Sequence, residues 1–284
     1  MKRRLVIIGS PLTKSSRGYL QGVKEDVKNM YNFHLSATGG AWKKEEILYL
    51  LNPTSQSIYK ILSWCNGVDF ASIIYSGHGF MRDGQNYINI NENEKFNVSG
   101  LRTTAKRQFT MIDACRTNYP YEHADGLYGI DFQFDMTNLD LARKMYDFYI
   151  SKTPEGHITI FSSSPNQASQ DTSEGGAYTV SLLRSLINWS DLQTSTVLNV
   201  KDAFTRSKHE LSNISRIQSP QLYAGDEKIL QLPFAINPAL YLKINQKPNQ
   251  SLPSQQKSTS SLAGIVFKAT AVGLLLWGIF GKKE

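Results

Sequence analysis

The sequence predicts an α/β fold in which a mostly parallel sheet carries helices on both faces. Two observations predict it. Short apolar runs rich in β-branched and aromatic residues recur at 5–9, 70–75 and 109–112, as expected of strands buried on both faces. Stretches with apolar residues at helical spacing alternate with them, and a βαβα order calls for crossovers that join parallel strands. The 40% apolar fraction over 284 residues is ample for one globular core.

In chain order, residues 5–9 read as the first strand. Lys2-Arg3-Arg4 precedes it, but Gly9 ends the apolar run before a secretory h-region develops, so no signal peptide is expected. Residues 19–33 place Leu20, Val23, Val27, Met30 and Tyr31 on one helical face. The segments 45–51 and 57–65 read as helical, followed by strands at 70–75 and 109–112. Residues 139–150 are helical, 157–162 a strand, and 176–187 and 200–211 helical. A strand at 222–224 and a further short one near Leu240 close the sheet. No internal repeat is visible. Residues 1–243 therefore form one expected domain.

The stretch 244–261 lacks apolar periodicity and is rich in Gln, Ser and Pro, a flexible linker. Residues 262–280 (LAGIVFKATAVGLLLWGIF) are apolar except for Lys268 and Thr270, and their length matches a bilayer's hydrocarbon core. Lys268 lies in the first third, where it can snorkel; Trp277 suits the interface, and a charged tail at 281–284 closes the span. The expectation is a single-pass C-terminal membrane anchor with the preceding domain in the cytoplasm. Formal net charge is +7, yet the basic residues are spread along the chain and no arm with interleaved aromatics occurs, which argues against nucleic-acid binding. Two cysteines, Cys65 and Cys115, indicate a reducing compartment rather than a disulfide scaffold.

Chemistry enters where two strands end. The run 70–75 leads into Ser76-Gly77-His78-Gly79, and 109–112 into Asp113-Ala114-Cys115-Arg116. Ligands and catalytic groups of open α/β sheets gather beyond the carboxyl ends of strands. Neighbouring parallel strands would bring His78 and Cys115 together, the minimum machinery of a cysteine protease. Asp113 and Arg116 bracket the cysteine, an environment expected to favour a thiolate.

These motifs resemble the caspase-like cysteine peptidases, and within them the metacaspase and paracaspase branch, in a prokaryotic form. Tyr75-Ser76-Gly77-His78-Gly79 resembles the family's His motif, and Asp113-Ala114-Cys115-Arg116 its Cys motif in the Asp-x-Cys form. Residues 20–30 resemble the first metacaspase helix, where a Cys commonly stands at the place of Val23. Residues 162–179 resemble the segment that opens the small-subunit half, and 218–222 the closing strand. The resemblance covers about residues 4–240 and implies a caspase-haemoglobinase-like sheet.

It further implies His78 and Cys115 as the catalytic dyad, backbone N–H groups of Gly79 and Cys115 as oxyanion donors, and Asp26, Ser76 and Asp113 as the S1 pocket. Two carboxylates and a hydroxyl suit a guanidinium or ammonium, so cleavage after Arg or Lys is expected. Cleavage after Asp or Asn, and a catalytically silent membrane-anchored adaptor, are the alternatives. Arg143, Lys144 and Lys152 offer self-cleavage points. No cofactor is called for: Asp83, Asp125, Asp131 and Asp135 lack the spacing of a calcium loop, and His34, His123, His157 and His209 lack that of a zinc site. The implied partners are a protein substrate, the lipid bilayer through 262–280, and a second copy of the chain as a homodimer.

Overall fold

The computed structural model describes residues 1–16, 18–117, 132–192, 194–215 and 217–245. These belong to one unit, Met1–Gln246. Its centre is a six-stranded sheet of order β12-β8-β7-β3-β1-β2, formed by β1 (Arg3–Ser10), β2 (Ile47–Leu51), β3 (Phe70–Gly77), β7 (Arg107–Asp113), β8 (Gly156–Phe161) and β12 (Gln221–Ala224). All pairings are parallel except β12 with β8.

Side chains alternate across this sheet, and each face carries its own core. Leu5, Ile7, Phe109, Met111, Ile158 and Ile160 point to one face. There they pack on α1 (Gly22–Leu35), α3 (Leu139–Lys152), α4 (Ala177–Leu192) and α5 (Val200–Ile214). Val6, Ile8, Ala71, Ile73, Tyr75 and Ile112 point to the other. That face holds α2 (Ser55–Trp64) and a three-stranded antiparallel meander of β4 (Gly79–Arg82), β5 (Gln85–Asn89) and β6 (Lys95–Asn97). Among the described residues helices thus lie on both faces, four against one.

Short pairs complete the unit: β9 (Asp171–Thr172) with β10 (Gly175–Gly176), and β11 (Val197–Asn199) with β13 (Pro233–Ile236). The last described element is α6 (Pro238–Asn245). Helix starts follow their caps. Thr54 Oγ1 accepts from the Ser57 N–H at 3.2 Å, and Asn199 Oδ1 from that of Asp202 at 2.8 Å.

Three sequence expectations are corrected. Residues 45–51 are not a helix: a 3-10 turn at Lys44–Glu46 leads into β2, an edge strand whose register runs from Leu5↔Ile47 to Gly9↔Leu51. Tyr49 meets Tyr31 of α1, while Leu50 packs on the opposite core. Tertiary pairing overrides a pattern too short to separate helix from strand. The short strand expected near Leu240 is instead β13, which pairs with β11 outside the central sheet, and Leu240 is helical because Pro238 opens α6 and Asn237 Oδ1 caps the Leu240 N–H at 2.9 Å. Residues 244 and 245 consequently belong to this helix and not to a linker.

The meander was not anticipated, although Asp83-Gly84 carries its signal. Both residues have positive φ (51° and 72°), as a two-residue hairpin turn requires. Among the described residues no helix is long and apolar enough to cross a membrane. The expected span 262–280, its tail and most of the linker lie outside the described residues.

Candidate active site

The parallel pairing of β3 and β7 sets Ser76 opposite Asp113 in register. Because the side-chain period is two, Ser76 and Asp113 project to the face that carries α1, whose Asp26 is buried against them. Ser76 Oγ donates to Asp26 Oδ2 at 2.5 Å, and the Gly176 N–H reaches both Asp26 oxygens at 3.0 Å. Asp113 accepts from Ser169 Oγ at 2.8 Å and from Thr179 N–H and Oγ1 at 3.0 and 2.7 Å. The three residues expected to form S1 are therefore in one cluster, with Asp26 only 2% and Asp113 4% exposed. A solvated helix position for Asp26 is excluded.

Neither carboxylate forms an ion pair among the described residues; both are held by hydroxyls and backbone N–H groups. Burial, then the neighbouring Asp113, pushes the Asp26 carboxyl well above its ordinary range. The glycines at 175 and 176 are required here by close approach. A Cβ on Gly175 would lie 2.2 Å from Asp26 Oδ1, and one on Gly176 2.4 Å from Asp113 Oδ2. Gly175 also has φ +138°, a conformation L side chains rarely adopt.

His78 and Cys115 stand just past the ends of the same two strands. Gly79, following the histidine, lies so near the cysteine backbone that a Cβ there would sit 2.7 Å from the Cys115 carbonyl oxygen and 2.8 Å from Ala114 Cβ. The two segments proposed from sequence to share a site are thus in backbone contact. His78 Nε2 lies 2.5 Å from the Gly18 carbonyl oxygen. A carbonyl only accepts, so Nε2 carries the proton and Nδ1 is the basic nitrogen of the neutral ring. Cys115 Sγ lies 3.2 Å from the Ser169 N–H, which donates to it, and 3.4 Å from the Ser169 carbonyl.

The model of the Caspase domain family matches residues 2–230. The chain belongs to the caspase-domain family. No curated protein matches it. Caspase-1 from Spodoptera frugiperda is similar in structure at 14% identity and TM-score 0.51, over 78% of this chain and 86% of that one. Protein GSU0716 of Geobacter sulfurreducens is similar at 17% identity and TM-score 0.56, over 84% of this chain and all of the other. At such identities the likeness is one of fold. The family's members are cysteine peptidases.

Two features of this caspase domain depart from the sequence expectation. Arg116 does not support a thiolate. Its Nε donates to Asn86 Oδ1 at 2.9 Å, its Nη1 to the Ser163 carbonyl at 3.1 Å and to Gln221 Oε1 at 3.0 Å, and it covers the Phe161 ring at 4.3 Å. Its charge is spent on that side of the sheet, and burial, helped by Asp113 and Asp171, raises the Cys115 thiol above its ordinary value of 9.0. Burial thus favours the thiol over the thiolate in the resting site.

A third carboxylate, Asp171 on β9, was missed. Its Oδ2 accepts the Gly22 N–H at 3.3 Å at the start of α1, and its charge raises both Asp26 and Cys115. Nothing local marks it, because β9 has only two residues. The Gly18 carbonyl was equally invisible, since any residue type supplies a carbonyl there.

Among the described residues no three metal-binding side chains are grouped as a cation site. Asp83 sits at the exposed hairpin tip with Arg82, and Asp135 caps the Thr137 N–H; Asp125 and Asp131 lie outside the described residues. His34 is buried against the Met30 carbonyl, with its pKa lowered to about 4 by burial. Arg143, Lys144 and Lys152 lie within regular helix α3, and Arg143 is clamped on both Glu46 oxygens at 2.8 and 2.6 Å. A protease cleft takes extended chain, so these are poor cleavage points as folded.

Proposed function

We propose that this protein is a metacaspase-like cysteine endopeptidase that cuts after Arg or Lys. Cys115 is the nucleophile and His78 the general base. His78 Nδ1 takes the thiol proton as Sγ attacks the scissile carbonyl, then delivers it to the leaving amine. Water releases the acyl group from the thioester. The N–H groups of Gly79 and Cys115 are the oxyanion donors, a role their backbone proximity supports. The Gly18 carbonyl supports the imidazole in the required tautomer.

The observation that carries the specificity is the pair of buried carboxylates, Asp26 and Asp113, gathered with Ser76 and lacking a counter-cation among the described residues. Burying like charges together is unfavourable unless a cation arrives to pair with them. A P1 guanidinium supplies that cation and matches carboxylates bidentately. An acidic P1 side chain would meet repulsion instead, and the nearest arginine in sequence, Arg116, is bound elsewhere. We further propose that residues 262–280 anchor the domain to a membrane with the peptidase on the cytoplasmic side, a reading that rests on sequence alone.

A P1-varied peptide library tests the proposal, run on the wild type and on Cys115→Ala. Cleavage after Arg and Lys that vanishes in the variant is expected. A preference for Asp or Asn would overturn the pocket assignment, and undiminished activity in the variant would overturn the nucleophile.

A further inference from the structure

The two middle strands at the small end of the sheet are apolar on one face and polar on the other. β7 and β8 turn Phe109, Met111, Ile158 and Ile160 toward the four helices, but Gln108, Thr110, His157 and Thr159 away from them. On that second face α2 and the meander cover β1 and β3. The link from β6 to β7 is only nine residues, 98–106, and forms no more than the 3-10 turn Val98–Leu101, so among the described residues no helix covers β8 and β12 on this face. A cavity of about 340 Å³ remains, within the size range of small-molecule sites.

Its charge is one-sided. Arg102 and His157 both line the cavity, and no carboxylate does. Among the described residues Arg102 forms no ion pair, and its proximity, after burial, lowers the His157 imidazole below its ordinary value. Gln108 Nε2 at the floor donates to Thr110 Oγ1 at 2.9 Å, and the rest of the polar lining consists of the two basic groups, hydroxyls and the amides of Gln85, Asn86 and Asn97. Two adjacent basic groups without a counter-anion are the mirror image of the acidic cluster on the opposite face.

The cavity also touches the residue after the nucleophile. Asn86, Phe161 and Tyr223 line it. Asn86 Oδ1 and the Phe161 ring hold the Arg116 guanidinium directly, and Tyr223 does so through Gln221, which its hydroxyl donates to and which accepts from Arg116. The Arg116 N–H in turn donates to the Gln167 carbonyl at 2.8 Å, two residues before the Ser169 that contacts Cys115 Sγ.

We propose that this cavity is an effector site for a small organic anion, whose phosphate or carboxylate group is held by Arg102 and His157, and that its occupancy is felt at Cys115 through Arg116. Phosphate and carboxylate share the oxyanion chemistry, and the probes separate them.

The test uses the full chain with inorganic phosphate or benzoate, against chloride at equal ionic strength. Binding is followed by calorimetry, the His157 imidazole by NMR titration, and Cys115 by its rate of alkylation with iodoacetamide. Saturable millimolar binding of one probe is expected, with an upward shift of the His157 titration, a changed alkylation rate, and at least about a tenfold loss of affinity in Arg102→Ala, since a charge-assisted contact is removed. Arg102 is exposed, so this variant folds; His157→Gln is the second variant. No binding of either probe, or binding that both variants leave intact, would overturn the site. Binding that leaves the alkylation rate unchanged would overturn the coupling.

Discussion

Replacing Asp26 by Asn separates the stability of the pocket from its use. In the resting protein Asp26 is buried, faces Asp113, and accepts from Ser76 Oγ and the Gly176 N–H. An amide of the same shape keeps an acceptor for Gly176 and offers Ser76 a donor, so about one hydrogen bond is rearranged, not lost, at a cost of roughly 1 kcal/mol or less. Against this, a buried charge beside a like charge is removed.

The sign follows from the raised carboxyl. A group whose folded pKa lies above its unfolded value contributes stability below the unfolded value, here 3.8, and that contribution is lost as pH rises through the folded pKa. Asp26→Asn escapes this loss, so its Tm should exceed that of the wild type by a margin that grows from about pH 4 toward neutrality. Cleavage moves the other way. Removing one partner of a buried charge pair with the P1 guanidinium costs about 2–5 kcal/mol, or roughly 30- to 4,000-fold in kcat/KM at about 1.4 kcal/mol per decade. Steady-state kinetics on an Arg-P1 reporter and thermal melts across pH read both arms. A kcat/KM within about threefold of wild type would refute the pocket, since it corresponds to well under 1 kcal/mol of lost transition-state binding.

Four further outcomes are expected. Alkylation of Cys115 in the free protein should rise with pH to beyond the ordinary thiol value of 9.0, because burial holds the thiol protonated; a plateau near neutral pH would contradict this. Gly176→Ala places a methyl 2.4 Å from Asp113 Oδ2 and should destabilise by about 1–3 kcal/mol while lowering Arg-P1 cleavage, as measured by denaturant unfolding and kinetics. Gly79→Ala, crowding the Cys115 carbonyl at 2.7 Å, should reduce kcat more than it raises KM. Glu46→Ala should cost about 3–5 kcal/mol, because it strips a partner from the buried Arg3 and from Arg143. In the wild type, burial raises the Glu46 carboxyl, but bonding from Arg143 and Lys43 outweighs it and lowers the pKa. That stabilisation is present above 4.5 and lost as pH falls through the folded value, so Glu46→Ala should flatten the acid limb of a pH-stability curve.

Much of the core was legible because burial on two faces leaves a strong local mark. The runs that became β1, β3 and β7 are apolar at 5–9, 70–75 and 109–112 but for Gly9, Ser72 and Thr110, and the amphipathic stripes of α1 and α5 point to one partner. The His and Cys motifs were legible for a related reason: each directly follows such a strand. Local pattern failed where a segment's state depends on a distant neighbour. Residues 47–51 are a strand only because the edge of β1 pairs with them. Arg116 is adjacent to Cys115 in sequence but directed to Asn86 and Gln221 by the fold.

The sequence by itself determined the α/β class and the two strand ends that carry His78 and Cys115, since these depend on local polarity and short-range spacing, while Asp26, Ser76 and Asp113 entered only through the family resemblance. Tertiary structure alone decided that Ser76 and Asp113 are paired in register beneath Asp26, that Asp171 joins them, that the Gly18 carbonyl contacts the imidazole, and that burial raises the thiol above its ordinary value. Each of these needs groups tens of residues apart to meet, and the distances and desolvation that set their chemistry exist only once the sheet has brought them together.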